Sequence, residues 1–306
     1  MNDDFAEPIE GRRHQASVAG KPLFVWHKPA PGGAVNGTVL FVHGSSMSSP
    51  PTFDLRVPDM PEASAMNWFA TRGFDTWTFD CRGYGQSFKD DTVKATIADG
   101  ADDIAAVADL VHSHSAAGPL MLYGISSGAL RAALYAERHP GRVARLALDA
   151  MVWTGKGSPT LVERAKKLDQ WRASARRPLN RDFLMSIFTR DHAGSVHERI
   201  VEPFIEQVLE HDDSIPNGTY IDMCTSLPVC DPTKIEAATI IMRGQYDGIA
   251  TLDDLLAFFA RLPNPDKEFA VMPGVAHASF TQKNLMRVYH VLHGFFTRPK
   301  PEFTGH

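Results

Sequence analysis

Cysteine is scarce in this chain of 306 residues, which has three: Cys81, Cys224 and Cys230. An odd number of widely spaced thiols argues against a disulfide framework, suits a reducing compartment and matches no metal-ligand spacing. An excess of positive charge is also missing. The formal net charge is −5, so the chain carries no electrostatic footprint for nucleic acid. No run approaches the ~20 successive apolar residues that a membrane span needs. Internal repeats and low-complexity tracts are absent, which removes solenoids and linker arrays from consideration. The opening residues Met-Asn-Asp-Asp-Phe-Ala-Glu-Pro are acidic and polar. A secretory signal is therefore not expected there, and a cytoplasmic location is. In that setting Asn36-Gly37-Thr38 and Asn217-Gly218-Thr219 read as turns rather than as glycan acceptors.

What is present is ordinary for a soluble enzyme: 43% hydrophobic and 22% charged residues. The length admits one large α/β domain with an insertion, or two small domains. Short strand signals fall at residues 14–18, 23–27 and 38–43. From there helix and strand patterns alternate: helix 63–71, strand 74–80, helix 96–114, strand 120–124, helix 128–138 and strand 144–149. Such alternation predicts a mostly parallel sheet with helices on both faces. Over residues 153–232 the rhythm changes to charged helical segments with no convincing strand. Ile200, Val201, Phe204, Ile205, Val208 and Leu209 form one apolar stripe there. Strand signals resume at 239–242 and 268–272, and a last helix is expected over 280–296. The expected organisation is a core of residues 1–152 and 233–306, interrupted by a helical insertion at 153–232.

Within the core, an apolar run leads into Gly124-Ile125-Ser126-Ser127-Gly128, and a helix-forming stretch follows. Strand, sharp turn with a serine at its apex, then helix is the layout of a strained, exposed nucleophile. Serine needs a base within hydrogen-bond reach, and that base needs an orienting acid. Open α/β sheets gather such groups on loops at the carboxyl ends of their strands. Asp247 follows strand 239–242 in Arg243-Gly244-Gln245-Tyr246-Asp247, and His277 follows strand 268–272 in Pro273-Gly274-Val275-Ala276-His277. For the oxyanion, one backbone donor is assigned to Ser127, just past the nucleophile. The other is assigned to Ser45, in the loop His43-Gly44-Ser45-Ser46-Met47.

Together these segments resemble the α/β-hydrolase superfamily. Phe41-Val42-His43-Gly44 resembles its oxyanion loop, and Asp80-Cys81-Arg82-Gly83-Tyr84-Gly85-Gln86-Ser87 resembles the segment after its fourth strand. Gly124 to Gly128 resembles the nucleophile elbow, and the Asp247 and His277 loops resemble those of its acid and base. One departure is Ala129, where many members carry a further glycine. The resemblance implies an α/β-hydrolase fold with residues 153–232 as a helical cap. It also implies a serine hydrolase cleaving a small carboxylic ester through an acyl-enzyme, with Ser126, Asp247 and His277 as the triad and no metal or organic cofactor. A serine nucleophile disfavours dehalogenase and epoxide hydrolase chemistry. Lactones, thioesters, amides, C–C cleavage of vinylogous diketones, acyl transfer and a non-catalytic binding role stay open.

Competing readings attach to several residues. Asp149, at the end of strand 144–149, rivals Asp247 for the acid. Asp253 and Asp254 fit better as first-turn residues of a helix starting near Leu252. His43 is expected to hold the oxyanion loop, and Asp80 and Arg82 to build a structural turn. Met151 and Trp153 are assigned to the substrate pocket. Arg172, Arg176, Arg177, Arg181 and Arg190 are expected on a solvated helix face, unless one or two meet a substrate carboxylate. The expected partner is a small-molecule ester, with self-association through the insertion left open.

Overall fold

The computed structural model describes residues 8–114 and 118–303. The chain opens with β1 (Arg12–Val18), β2 (Lys21–Lys28) and β3 (Gly37–Val42), followed by α1 (Ser49–Phe53) and α2 (Ala65–Ala70). Strict alternation follows: β4 (Phe74–Phe79), α3 (Ile97–His114), β5 (Leu120–Ile125), α4 (Ser127–Arg138) and β6 (Val143–Asp149). Next come α5 (Pro159–Ala165), α6 (Leu168–Ala173), β7 (Arg176–Pro178), α7 (Arg181–Thr189), α8 (Glu198–Leu209), β8 (Ser214–Pro216) and α9 (Gly218–Thr225). The chain then returns to the core with β9 (Ala238–Gly244), α10 (Leu252–Arg261), β10 (Lys267–Met272) and α11 (Leu285–Thr297).

Eight strands form one sheet in the order β1-β2-β4-β3-β5-β6-β9-β10. The first two pairings are antiparallel and all the others parallel. Helices cover both faces of the parallel part, so its strands are buried on both sides: Val39 to Val42 form a fully buried apolar run, and β4 is buried along its length although Asp75, Thr76 and Thr78 interrupt its apolar pattern. The direction of winding reverses between β3 and β5, and open α/β sheets bind ligands at such a crevice. The His43 loop and Ser126 emerge there.

Two differences from the sequence expectations have plain physical causes. The segment between β6 and β9 contains a two-stranded antiparallel ribbon, β7 with β8. Each strand is three residues long and includes a proline, too short for an alternating pattern to register. The last helix begins at Leu285 rather than Phe280. Residues Ser279–Thr281 instead make a 3-10 turn, and the Gln282 side chain accepts the Ala276 amide at 3.1 Å. That turn carries Phe280, whose ring stacks on Tyr123 of β5 with 5.1 Å between centroids. The stack ties the chain just after His277 to the strand that leads into Ser126.

The β5–α4 junction is packed backbone against backbone. A Cβ on Gly128 would lie 2.3 Å from the Val42 carbonyl oxygen, and one on Gly124 would lie 2.4 Å from the Gly128 carbonyl oxygen. Gly294, on the exposed side of α11, has nothing within 4 Å of such a Cβ. We therefore expect Gly128→Ala to destabilise the protein by about 2 kcal/mol through overpacking. Gly294→Ala should stabilise it by about 0.5–1 kcal/mol through helix propensity. Urea unfolding of the two variants checks both signs.

Candidate active site

Ser126 sits at the junction of β5 and α4 with φ 57° and ψ −123°, a conformation that L residues rarely adopt. Hydrogen bonds on both sides hold it there: its amide donates to the Asp149 carbonyl at 2.8 Å, and its carbonyl accepts from the Ala129 amide at 3.0 Å. The side chain is half-buried rather than exposed, because the loop after β3 and the segment between β6 and β9 close over it.

The loops after β9 and β10 converge on this serine. His277 Nε2 lies 2.9 Å from Ser126 Oγ, and His277 Nδ1 lies 3.0 Å from Asp247 Oδ1. The same Asp247 oxygen accepts the Ile249 amide at 2.9 Å, which fixes the carboxylate inside its own turn. Burial alone would push the Asp247 carboxyl up, but the His277 ring, the Ile249 amide and Arg243 outweigh it, and the group lies below its ordinary value. Asp149, the rival acid, points elsewhere: its Oδ2 accepts the Tyr123 hydroxyl at 2.6 Å. Burial, reinforced by the nearby Asp247 charge, raises Asp149 to about 7.

The loop after β3 is held from beneath. His43 donates from Nδ1 to the Gly44 carbonyl at 2.7 Å and accepts the Cys81 amide at Nε2 at 2.9 Å. Burial, with the Arg131 charge beside it, lowers the His43 pKa to about 3, so the ring is neutral and this tautomer is fixed. Fully buried Arg131 of α4 donates to the His43 carbonyl at 3.0 Å and to Thr219 Oγ1 at 3.1 Å. The Ser45 carbonyl is pinned by Arg177 Nη2 at 3.0 Å and by the Tyr84 hydroxyl at 3.2 Å, which orients the peptide units of the loop. Ser127 is the first residue of α4, and an amide in a helix's first turn has no intrahelical acceptor. The expected structural turn is also present: Asp80 accepts the Ser49 and Gln86 amides, and Arg82 pairs with Asp99 and Asp103.

A cavity above Ser126 is lined by Ser45, Met47, Ile187, Phe204, Ile249 and Phe280 among others, and Arg164 and Arg190 reach its wall. Met151 and Trp153 do not line it. After β6 the Ala150 amide bonds to the Met242 carbonyl, and the chain turns toward α10. There the buried Asp254 carboxylate takes the amides of Trp153, Thr154 and Gly155, and the Trp153 ring packs on Phe258. Both residues belong to the core.

Nor do the arginines of the insertion share one solvated face. Arg172 and Arg181 are exposed, but Arg176 bonds to the Gly83 carbonyl, Arg177 to Ser45, and Arg190 is bidentate on Asp191. The Asp191 carboxylate in turn accepts the His277 amide at 3.4 Å. Arg131, Arg164, Asp191 and Tyr220 carried no sequence signal, because their roles depend on contacts between residues distant in the chain.

Residues 33–284 match the family described as serine aminopeptidase, S33. No curated protein matches the chain by sequence. Among solved structures, an esterase from Exiguobacterium antarcticum superposes with a TM-score of 0.70 at 18% identity, covering 94% of this chain and 100% of the other. E-2-(acetamidomethylene)succinate hydrolase gives a TM-score of 0.70 at 17% identity, with 94% and 100% covered. The enol-lactonase from Burkholderia xenovorans LB400 gives 0.66 at 19% identity, with 93% and 100% covered. Sheet order, elbow and family match agree: the chain belongs to the S33 serine aminopeptidase-like family of α/β-hydrolases.

Proposed function

We propose that the protein hydrolyses small carboxylic esters through an acyl-enzyme intermediate. The observation that carries this reading is the unbroken line of hydrogen bonds from Asp247 through His277 to Ser126 Oγ, 3.0 and 2.9 Å long. In the first half-reaction Ser126 Oγ attacks the ester carbonyl while His277 Nε2 takes its proton. Asp247, kept ionised, holds the imidazole by Nδ1 and stabilises the imidazolium as it forms. The Ser45 and Ser127 amides donate to the oxyanion, each worth a few kcal/mol of barrier. Collapse of the tetrahedral intermediate breaks the C–O bond, and His277 returns the proton to the leaving alcohol. Water, activated by the same imidazole, then attacks the acyl group and releases the acid and free Ser126. These steps use only side chains and backbone amides of this chain.

The segment from residue 153 to 232 acts in this reading as a cap that sets acyl size. The cavity beneath it has a volume of about 50 Å³, which favours short acyl groups. Aminopeptidase chemistry is supported less well. It requires carboxylates to receive a substrate ammonium, whereas the cavity wall presents Arg164 and Arg190, with Asp191 already engaged by Arg190.

Ser126→Ala should lower kcat on p-nitrophenyl acetate by about 10³-fold or more and abolish labelling by a serine-directed fluorophosphonate. A wild-type protein that neither labels at Ser126 nor turns over short p-nitrophenyl esters sinks the proposal; lactones and ring-cleavage diketones are screened in parallel. Asp247→Asn should cost roughly 10³–10⁴-fold in kcat, as removing an orienting acid does elsewhere, whereas Asp149→Asn should cost no more than about tenfold.

Stability separates the two carboxyls as well. Between the ordinary carboxylate range and about 7, folded Asp149 keeps a proton that the unfolded chain has lost, so its contribution to stability falls as pH rises through that window. Asp149→Asn lacks this loss. Its unfolding free energy relative to wild type should improve by roughly 2 kcal/mol between pH 5 and pH 8 in urea titrations.

A further inference from the structure

Arg164 of α5 is the unusual cation of this site. It lines both the cavity that holds Ser126 and His277 and an outer pocket containing Trp171 and Tyr220. Among the described residues no carboxylate lies within ion-pair distance of it, and its side chain donates no hydrogen bond; its contact is with the Tyr220 ring, 4.3 Å from guanidinium to centroid. The other arginines that line this region are all engaged. Arg176 is bound to Ser214 and the Gly83 carbonyl, Arg177 to the Ser45 and Pro216 carbonyls, and Arg190 is forked on Asp191.

The charge around Arg164 is unbalanced in one direction. Arg177 stands 3.7 Å from the same Tyr220 ring, and Arg190 shares the cavity wall. Lys167 adds a fourth cation at the outer pocket. Of the nearby carboxylates, Asp191 is taken by Arg190, Asp247 by His277, and Glu163 is paired with Lys166 on the exposed face of α5. Burial pushes the Arg164 pKa down, the Tyr220 hydroxyl opposes this in part and Arg190 and Arg177 add to it; Arg164 and Arg177 in turn lower the Tyr220 hydroxyl to about 7 despite its burial. Holding a guanidinium half out of water beside like charges is unfavourable unless an anion completes the set. Its planar fork matches a carboxylate through two parallel N–H···O bonds.

We infer that Arg164 is a specificity residue for an anionic substrate: a short ester that carries a free carboxylate, such as the monoester of a dicarboxylic acid. Arg164 takes the carboxylate by its fork, Arg190 adds attraction from the wall, and the ester carbonyl is directed to Ser126. This assignment rests on Ser126 being the nucleophile only for the orientation of the bound ester; recognition of the carboxylate is independent of turnover.

The test therefore has a binding arm and a kinetic arm. In the binding arm, calorimetry on Ser126→Ala protein compares monomethyl glutarate with dimethyl glutarate, with and without Arg164→Gln. The monoester should bind at least tenfold tighter than the diester, and Arg164→Gln should remove that preference while the thermal melt stays within a few degrees. In the kinetic arm, the ratio of kcat/KM for monoester over diester should fall at least tenfold in Arg164→Gln, through KM, and recover in part in Arg164→Lys. Equal binding of the two esters, or a preference that survives Arg164→Gln, overturns the inference. If neither ester is turned over and yet the Arg164-dependent preference remains, the esterase reading falls and the anion site stands. If both are turned over with no preference, the anion site falls and the esterase reading stands.

Discussion

The left-handed backbone of Ser126 is the constraint on which the rest of the site depends. A residue at φ 57° and ψ −123° costs of order 1–3 kcal/mol and persists only where its surroundings leave no alternative. Those surroundings are backbone. Gly128 lies against the Val42 and His43 carbonyls, Gly124 against Gly128, and the Ser126 peptide is bonded to β6 on one side and α4 on the other. Because β3 and β5 are neighbours in the sheet, the elbow is also the floor of the Ser45 loop. A shift in one moves the other.

Around that floor the polar groups fall into two sets. Asp247, His43 and Arg131 are buried, hydrogen-bonded and fixed in one protonation state: the carboxylate ionised by the contacts of His277, the imidazole neutral under burial, the guanidinium charged. Each positions a loop. The second set lies on the segment between β6 and β9, where Arg177, Arg190 and Asp191 connect that segment to the Ser45 carbonyl and the His277 amide. The covering segment is thus joined to the loops bearing Ser45 and His277, which makes it part of the site's geometry as well as its wall.

Much of this was legible in the sequence where the physics is local. Strand, glycine-bounded serine and helix lie within nineteen residues, and the acid and base loops each follow an apolar strand. Parallel strands buried on both faces print as apolar runs, so β3, β5, β6 and β9 were readable. The ribbon β7–β8 was not, because three-residue strands leave no period. Trp153 misled for a related reason. Its place after a core strand suggested the pocket, but the Asp254 carboxylate, about a hundred residues on, draws its backbone toward α10.

The sequence by itself determined the fold class, the five landmark loops and the order in which Ser126, Asp247 and His277 occur, because each is encoded by spacing within a few turns or one strand. Only the tertiary structure shows which of Asp149 and Asp247 the His277 imidazole meets: both end or follow a strand, and Asp247 is the one within hydrogen-bond reach of the ring. It also singled out Arg164. Five arginines drew notice by crowding in the chain, whereas Arg164, which among the described residues has neither a carboxylate nor a hydrogen-bond acceptor, stands apart only when every neighbouring group has been placed in space.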